Sequence, residues 1–350
     1  MAQDSEKRSI LVTSALPYAN APLHLGHILE HTQTDIWVRF QKLYGNECIY
    51  VCADDAHGTP IMLRAEELSM SPEELIEMIH KEHKSTFEDF NISHDNYHST
   101  HSSENQILSE RIYKSLHAKG LIEKKVINQL FDTSRNMFLS DRYVKGTCPN
   151  CGAEDQYGDN CEKCSATYNA IDLKDPISVL TGTKPIIKES EHLFFKLSLL
   201  KDEIKKWLDS SKIQEPVRNK LNEWLDSDLK DWDISRDGPY FGFKIPGYDD
   251  KYFYVWLDAP IGYLASHLNY LTKHDSEKDF ESFWNKDSPS EVFHFIGKDI
   301  MYFHTLFFPA MLSNADLKTP NGVFVHGFLT LNGEKCLNRE VILYLSLIHI

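Results

Sequence analysis

The sequence predicts an α/β protein, with one parallel-sheet domain whose chain is interrupted by a cysteine-bearing insertion. Three observations carry this. A strand, a helix and a second strand follow one another within residues 9–53. A strand-then-helix pattern returns at residues 291–312. Between them lie two C-x-x-C pairs separated by nine residues.

Residues 9–15, SILVTSA, read as a short buried strand closed by the turn residues Pro17 and Asn20. Leu25, Leu29, Thr32, Ile36, Phe40 and Leu43 then recur at helical spacing, and Gly45-Asn46 supplies a stop. ECIYVCA, residues 47–53, is a second apolar strand, followed at once by Asp54 and Asp55. So short a βαβ unit requires parallel strands and a right-handed crossover. Ligands of such sheets bind beyond the carboxyl ends of the strands. HLGH, residues 24–27, and the Asp pair both follow strand ends and are expected on one edge. EVFHFIG (291–297) is a further strand, KDIMYFHTLFFPAML (298–312) begins a helix, and VFVHGFLTLNG (323–333) supplies at least one more strand. The expected segments are 1–118 and 234–335 as two halves of one domain, 119–233 as the insertion, and 336–350 as a tail. No repeat occurs at solenoid periods.

The chain has 350 residues and a net charge of −15, which argues against a surface basic all over. It leaves room for a local basic groove, although no Lys/Arg run marks one. No stretch reaches the ~18 apolar residues of a membrane span. The opening MAQDSEKRSI has no apolar core of the kind secretion signals carry, so the expectation is a cytoplasmic chain with no membrane partner.

CPNC and CEKC are the sharpest local signal. Cys148, Cys151, Cys161 and Cys164, with Gly152 and Gly158 nearby for tight turns, suit tetrahedral Zn²⁺ at ~2.3 Å. Four thiolates leave no open position, so one structural ion is expected. The other readings are a redox motif or disulfides, which a reducing compartment disfavours. His24 and His27 alone stay open between turn residues, a metal site and anion recognition. A helix N-terminus already offers free N–H groups and a positive dipole end, to which two imidazoles add donors. Gly26 lacks Cβ and lets a nucleotide ring lie against the backbone. Asp54-Asp55 reads either as a helix cap or as a receptor for an ammonium group. KYFYVWLDAPIGY (251–263) reads either as core or as an aromatic pocket, with Trp256, Pro260 and Tyr263 at helical spacing.

Taken together, ALPYANAPLHLGH, CADDAHGTPI, CPNC…CEKC, WDISRD, KYFYVWLDAPIGY and HFIGKDIMYFHTLFFPAML resemble the class I aminoacyl-tRNA synthetases, and among them the methionyl-tRNA synthetases, in the family's order. The resemblance runs from about residue 10 to 335. It implies a Rossmann-like catalytic domain split by a zinc-binding connective insertion. It implies that methionine is activated with ATP to methionyl-adenylate and passed to tRNA(Met), with Mg²⁺ accompanying ATP. On this resemblance His24 and His27 would stabilise the α-phosphate as the methionine carboxylate attacks it. Pro17, Gly26, Gly297 and Asp299 would lie along ATP, with Lys298 a neighbour. Leu16, Tyr18, Trp256, Ala259, Pro260, Tyr263, Ile300 and His304 would form the methionine pocket, and Asp55 would pair with the ammonium. A homodimer through C-terminal regions beyond this chain is a further implication.

The end departs from the family. Where K-M-S-K-S is expected, Lys335 is followed by CLNREVILYLSLIHI, 15 residues, too few for the family's helical anticodon-binding domain. Written as ATG-TCT-AAA-TCG-AGA-GGT-AAT-C, the family's stretch loses its first A to become TGT-CTA-AAT-CGA-GAG-GTA-ATC. That encodes residues 336–342 as they stand, so a one-base frameshift accounts for these seven residues, and LYLSLIHI would then be out-of-frame or foreign translation. Two classes follow: an enzyme that charges tRNA, and a non-catalytic module binding ATP, methionine or RNA. The missing triphosphate lysine favours the second for the polypeptide as written.

Overall fold

Ile10, Leu11 and Val12 are all but completely buried although their side chains alternate between two faces. Only a central strand covered on both sides allows that. In the computed structural model, which describes residues 7–274, 279–331 and 334–335, β1 (Ser9–Ser14) is that strand. β2 (Glu47–Asp54) flanks it on one side and strand Glu291–Gly297 on the other, both parallel to it. The sheet has six strands in the order Lys212–Ile213, Gly322–His326, Glu291–Gly297, β1, β2 and β3 (Asn96–Ser99), every pair parallel. The chain steps outward on both sides of the pair formed by β1 and strand Glu291–Gly297, which makes their carboxyl ends the topological switch point. Residues 336–350, and with them the frameshift reading of the tail, lie outside the described residues.

The βαβ unit forms as its sequence spacing predicts. The helix α1 (Leu25–Leu43) follows β1, and Gly45, at φ +93°, turns the chain into β2. The face that α1 buries differs from the expected one. Ile36, Phe40 and Leu43 of the apolar stripe are exposed. The buried side carries Ile28 and Val38 together with Glu30, His31, Thr34, Asp35 and Gln41. The polar groups among them find partners in the sheet unit. Glu30 accepts from the Ala15 N–H, His31 bonds Ser14, and Asp35 accepts from the Ser93 N–H. Periodicity locates a helix but does not say which stripe the sheet receives. Ile28 and Val38 of α1 share one buried apolar cluster with Ile10 and Val12 of β1, Cys48, Tyr50 and Cys52 of β2, and Phe293.

After β2 come α2 (Thr59–Glu67), α3 (Pro72–Asp89), β3 and α4 (Ser103–Ala118). Helix Val255–Lys273 is tied to β2 and β3 through Ser266, whose hydroxyl donates to the Cys52 carbonyl at 2.9 Å, and through Asn96, whose amide donates to the Ser266 carbonyl at 2.8 Å. Residues 298–312 are not one α-helix. A 3₁₀ turn at Lys298–Ile300 leads to a wide π-helical turn at Phe303–Phe307 and then to Phe308–Asn314. Pro309, which has no N–H to give the helix ladder, follows directly on that wide turn.

The described chain forms two compact units. One contains the parallel sheet, with residues up to 121, 196–232 and from 255 onward; the other contains residues 122–195 and 233–254. Within residues 119–233, read from sequence as one insertion, the stretch 196–232 packs with the sheet. Lys212–Ile213 pairs with Gly322–Val323, and the Trp207 indole donates to the Pro320 carbonyl. The second unit is built on the antiparallel pair of β4 (Ile122–Asp132) and Ile186–Phe195. A smaller three-stranded sheet, Gln156–Tyr157, Val144–Thr147 and Lys174–Ser178, accompanies it. Among the described residues no helix is long and apolar enough to cross a membrane.

Phe293 sits in the sheet core between Trp37, at 5.4 Å between ring centroids, and Phe324, at 6.0 Å. Phe293→Ala is expected to destabilise the sheet unit by about 3–5 kcal/mol. Guanidinium unfolding followed by tryptophan fluorescence should show a lower midpoint with an unchanged slope.

Candidate active site

The HLGH stretch forms the N-terminal cap of α1. His24 is the cap residue, and its Nδ1 accepts from the N–H groups of Gly26 at 3.1 Å and His27 at 3.3 Å. His27 reciprocates, its Nδ1 accepting from the His24 N–H at 3.3 Å. The rings stack at 3.6 Å between centroids. This is a capping box made of two imidazoles, and it fixes their chemistry. An Nδ1 that accepts cannot carry a proton, so each neutral ring keeps its hydrogen on Nε2. Burial holds His24 below its ordinary range. Burial and then its neighbours His24, His31 and His83 push His27 down to about 2. At neutral pH the pair therefore offers two uncharged Nε2–H donors at a helix N-terminus. Gly26 serves the cap directly, since a Cβ there would stand 2.9 Å from His24 Cε1 and 3.0 Å from its Nδ1.

Residues 15–19 cross the end of β1 and are strapped to the Asp pair. The Pro17 carbonyl accepts from the Asp55 N–H, and the Ala19 N–H donates to the Asp55 carbonyl, both at 2.8 Å. The Tyr18 hydroxyl donates to the His57 carbonyl at 2.9 Å. The Asp55 carboxyl is buried, and its Oδ1 has no partner among the described residues. Burial first, and then the Asp258 carboxyl, push it well above the usual carboxylate range. Asp258 itself contacts His57 and likewise leaves Oδ1 unpartnered. A buried acid with an orphaned oxygen is costly unless a donor or a cation arrives.

Helix Val255–Lys273 and the turns after residue 297 supply the aromatic residues. Trp256 stacks on Phe303 at 4.0 Å with an interplanar angle of 11°. The Tyr263 hydroxyl donates to His304 Nε2 at 2.8 Å, and His304 Nδ1 donates to the Ile300 carbonyl at 3.1 Å. Both nitrogens of His304 are thereby used, and burial pushes the ring down to about 4, so it is neutral. Leu16 lies against Gly262, where an added Cβ would come within 3.0 Å of its Cδ2. Ala259 and Pro260 are buried in the same helix. On the other strand, the Asp299 carboxylate folds back over Gly297 and lies within electrostatic reach of His24. The sequence-predicted pocket and nucleotide residues all fall in the sheet unit.

Several residues around this crevice escaped the sequence reading. Glu30 accepts from the Ala15 N–H at 2.6 Å and from His326 Nε2 at 2.9 Å. His326 Nδ1 donates to the Gly327 carbonyl, and the hydrogen bond to Glu30 holds His326 above its ordinary range. Phe303 and Asp258 were also missed. The available signal was a run of polar residues on α1 at i+3, i+4 and i+7 from His27 (Glu30, His31 and Thr34), the same face as the cap.

In the second unit the four cysteines converge. Cys148 Sγ lies 3.9 Å from Cys164 Sγ, and Cys151 Sγ 3.6 Å from Cys161 Sγ. All four sulfurs lie within 4.8 Å of one another, and none is in a disulfide. Four ligands at ~2.3 Å from one tetrahedral centre stand about 3.8 Å apart, so the spacing fits a metal ion. The two knuckles are alike. Gly152 donates to the Cys148 carbonyl and Ser165 to the Cys161 carbonyl, and each has a left-handed φ, +73° and +58°. The WDISRD motif closes on its own unit after Trp232. His192, 1 % exposed, donates to Asp233 at 2.7 Å and Asp237 at 2.9 Å, and Arg236 lies 3.6 Å over the Tyr254 ring.

With this geometry in hand, comparisons with known proteins are specific. A family model described as tRNA synthetases class I (M) matches residues 10–342. Among solved structures, the chain is similar to Mycobacterium tuberculosis methionyl-tRNA synthetase bound by methionyl-adenylate. The TM-score is 0.70 and the identity 25%, over 92% of this chain and 58% of that one. A second structure, Mycobacterium tuberculosis methionyl-tRNA synthetase in complex with methionyl-adenylate, gives a TM-score of 0.70 and 26% identity over 93% and 58%. The chain therefore spans well under two thirds of the length of these proteins.

Gly26→Ala should force the His24 ring off its cap. Loss of a side-chain cap costs about 0.5–2 kcal/mol. Differential scanning calorimetry should record a lower melting temperature. Imidazole ¹⁵N spectra should show His24 Nδ1 losing its acceptor shift; an unmoved ring would contradict the cap geometry.

Proposed function

The chain belongs to the class I tRNA synthetases, and on that premise we propose that it is the methionine-activating part of a methionine–tRNA ligase. The observation that carries the amino-acid reading is Asp55. A buried carboxyl with an unpartnered oxygen, beside Tyr18 and strapped to residues 17–19, is a receptor for an ammonium group. Methionine's side chain would lie among Leu16, Tyr18, Trp256, Ala259, Pro260, Tyr263, Ile300 and His304. Tyr263 and His304 satisfy one another, so the chamber offers a polar side chain little and a polarisable thioether much. The neighbours of known structure carry methionyl-adenylate, which supports a methionine and adenylate site here.

In the reaction so assigned, a carboxylate oxygen of methionine attacks the α-phosphorus of ATP, the bond to the β-phosphate oxygen breaks, and pyrophosphate leaves. Mg²⁺ enters with ATP as part of the substrate. The Nε2–H groups of His24 and His27 would meet the oxygens whose charge grows as phosphorus becomes five-coordinate. Fixed donors need no reorganisation at that moment, so their contribution falls on the transition state. Pro17, Gly26, Gly297 and Asp299 would line the nucleotide. Transfer to tRNA(Met) belongs to the whole enzyme in this reading. The Cys148, Cys151, Cys161 and Cys164 site would hold one structural Zn²⁺, since four thiolates leave no coordination position for substrate.

Zinc should be found at about one ion per chain in freshly prepared, reduced protein by atomic emission. Cys148→Ser should lose the ion and lower the melting temperature of the second unit; equal zinc content in this variant would refute the ligand set.

Asp55 makes methionine binding proton-linked. A carboxyl held above its ordinary range keeps its proton in the empty pocket to a higher pH than a free one, and pairing with an ammonium favours the ionised form. Below the raised value, binding therefore releases a proton; above it, no proton is released and the linkage disappears. Titration calorimetry with a non-hydrolysable methionyl-adenylate analogue, in two buffers of different ionisation enthalpy, should show release of up to about one proton. Asp55→Asn should abolish that release and weaken binding by about tenfold or more. Tighter binding of a leucyl analogue would overturn the methionine assignment.

A further inference from the structure

We propose that His83 is a positioning residue for the loop between β1 and α1. It is a buried imidazolium that ties the Ala21 carbonyl in that loop to the Asp54 carboxylate at the end of β2. The proposal rests on the reading of residues 15–27 as the nucleotide-binding stretch.

His83 lies on α3, and its side chain is 1 % exposed. Its Nδ1 stands 2.6 Å from Asp54 Oδ1 and its Nε2 stands 2.9 Å from the Ala21 carbonyl oxygen. Neither partner can donate. The carbonyl only accepts, and the Asp54 carboxylate already receives the Tyr97 hydroxyl and His80 Nδ1. Both ring nitrogens of His83 must therefore carry hydrogen, and the ring is a cation. A neutral ring would surrender one of the two bonds. The titratable groups facing it are Asp54 from β2, Tyr97 from β3, His27 and His31 from α1, and His80 and Glu82 from its own helix.

The cation acts on the loop at two points. At Ala21 it holds the backbone by a charge-assisted hydrogen bond. At His27 its field opposes protonation, which keeps the Nδ1 lone pair available to the His24 N–H. Burial works against the charge on His83, the bond to Asp54 and the Asp54 charge favour it, and the ring is held above its ordinary range. The sign follows. The tie is complete below the ordinary histidine range near ~6.5 and is lost as pH rises through the raised value.

Two measurements on the full chain test this. Imidazole ¹⁵N spectra of wild type at pH 7 should show both His83 nitrogens protonated; a neutral ring overturns the proposal whether or not any variant folds. Hydrogen–deuterium exchange compares wild type with His83→Gln, whose uncharged amide cannot bridge both partners. Amides of residues 19–27 should exchange about tenfold faster in the variant, the scale of one lost hydrogen bond to a charged group. Those of β1 and β2 should be unchanged. Wild-type protection of the loop, after correction for intrinsic rates, should fall as pH is raised, and the variant's should not. Equal loop exchange in the two proteins, or the same pH profile, overturns the tie. ATP titration of wild type separates the premise: no binding refutes the nucleotide reading, whereas the exchange data report the tie itself.

Discussion

The parallel pairing of Ile10–Ser14 with Glu291–Phe295 is the constraint on which the rest of the sheet unit depends. It joins segments at opposite ends of the described chain, and closing so long a loop is entropically unfavourable. Burial on both faces offsets that cost, and the buried contact of Thr13 with His294 helps set the register. Once the pair forms, two strand ends open on the same side. One continues into residues 15–27 and the other into residues 297–304. The Ala15 N–H extends the ladder to the Phe295 carbonyl at 3.1 Å and also meets Glu30 at 2.6 Å. Glu30 in turn reaches His326 at the end of the next strand. A carboxylate from α1 thus braces the floor where the two halves of the chain meet.

Much of this was legible in the sequence, and the parts that were not share a cause. Strand Glu291–Gly297 and the βαβ unit at the N-terminus stand where apolar runs and turn residues place them, because burial on both faces leaves an unbroken apolar signature. The four cysteines were legible because their spacing encodes a coordination shell. The buried face of α1 was misjudged because Ile36, Phe40 and Leu43 make a stronger stripe than the polar face that the sheet actually receives. The wide turn at Phe303–Phe307 left no mark, since FHTLF satisfies helical spacing whichever hydrogen-bond pattern it adopts. Motif resemblance named candidate pocket residues but not their hydrogen-bond pattern. That Tyr263 and His304 satisfy one another, or that His24 and His27 cap each other's backbone, depends on distances.

Histidine protonation is the thread that joins these details. The sheet unit holds two kinds of imidazole. His24, His27 and His304 use a ring nitrogen as an acceptor, and burial keeps them uncharged. His83 and His326 have an acceptor at each nitrogen, one of them a carboxylate, and are held toward the charged form. The second unit repeats the latter arrangement with His192 between Asp233 and Asp237. Geometry sorts them, since a ring facing a carbonyl and an ionised carboxylate must be a cation and a ring accepting a backbone N–H cannot be protonated at that atom.

The sorting matters for the nucleotide site proposed here. A protonated His24 or His27 would attract ATP in the ground state, yet it would lose the Nδ1 acceptor that orders the α1 cap and both rings. Neutral rings keep the cap intact and still present Nε2–H donors, which act most where negative charge is growing. A cation placed one layer back, at His83, supplies field without occupying the donor positions and is balanced by the Asp54 carboxylate. In the His326–Glu30 pair the shared hydrogen bond holds His326 up while burial holds the Glu30 carboxyl up, so one proton is held between them. Asp55 differs from both, a buried acid whose Oδ1 has no partner among the described residues and whose carboxyl burial holds well above its usual range.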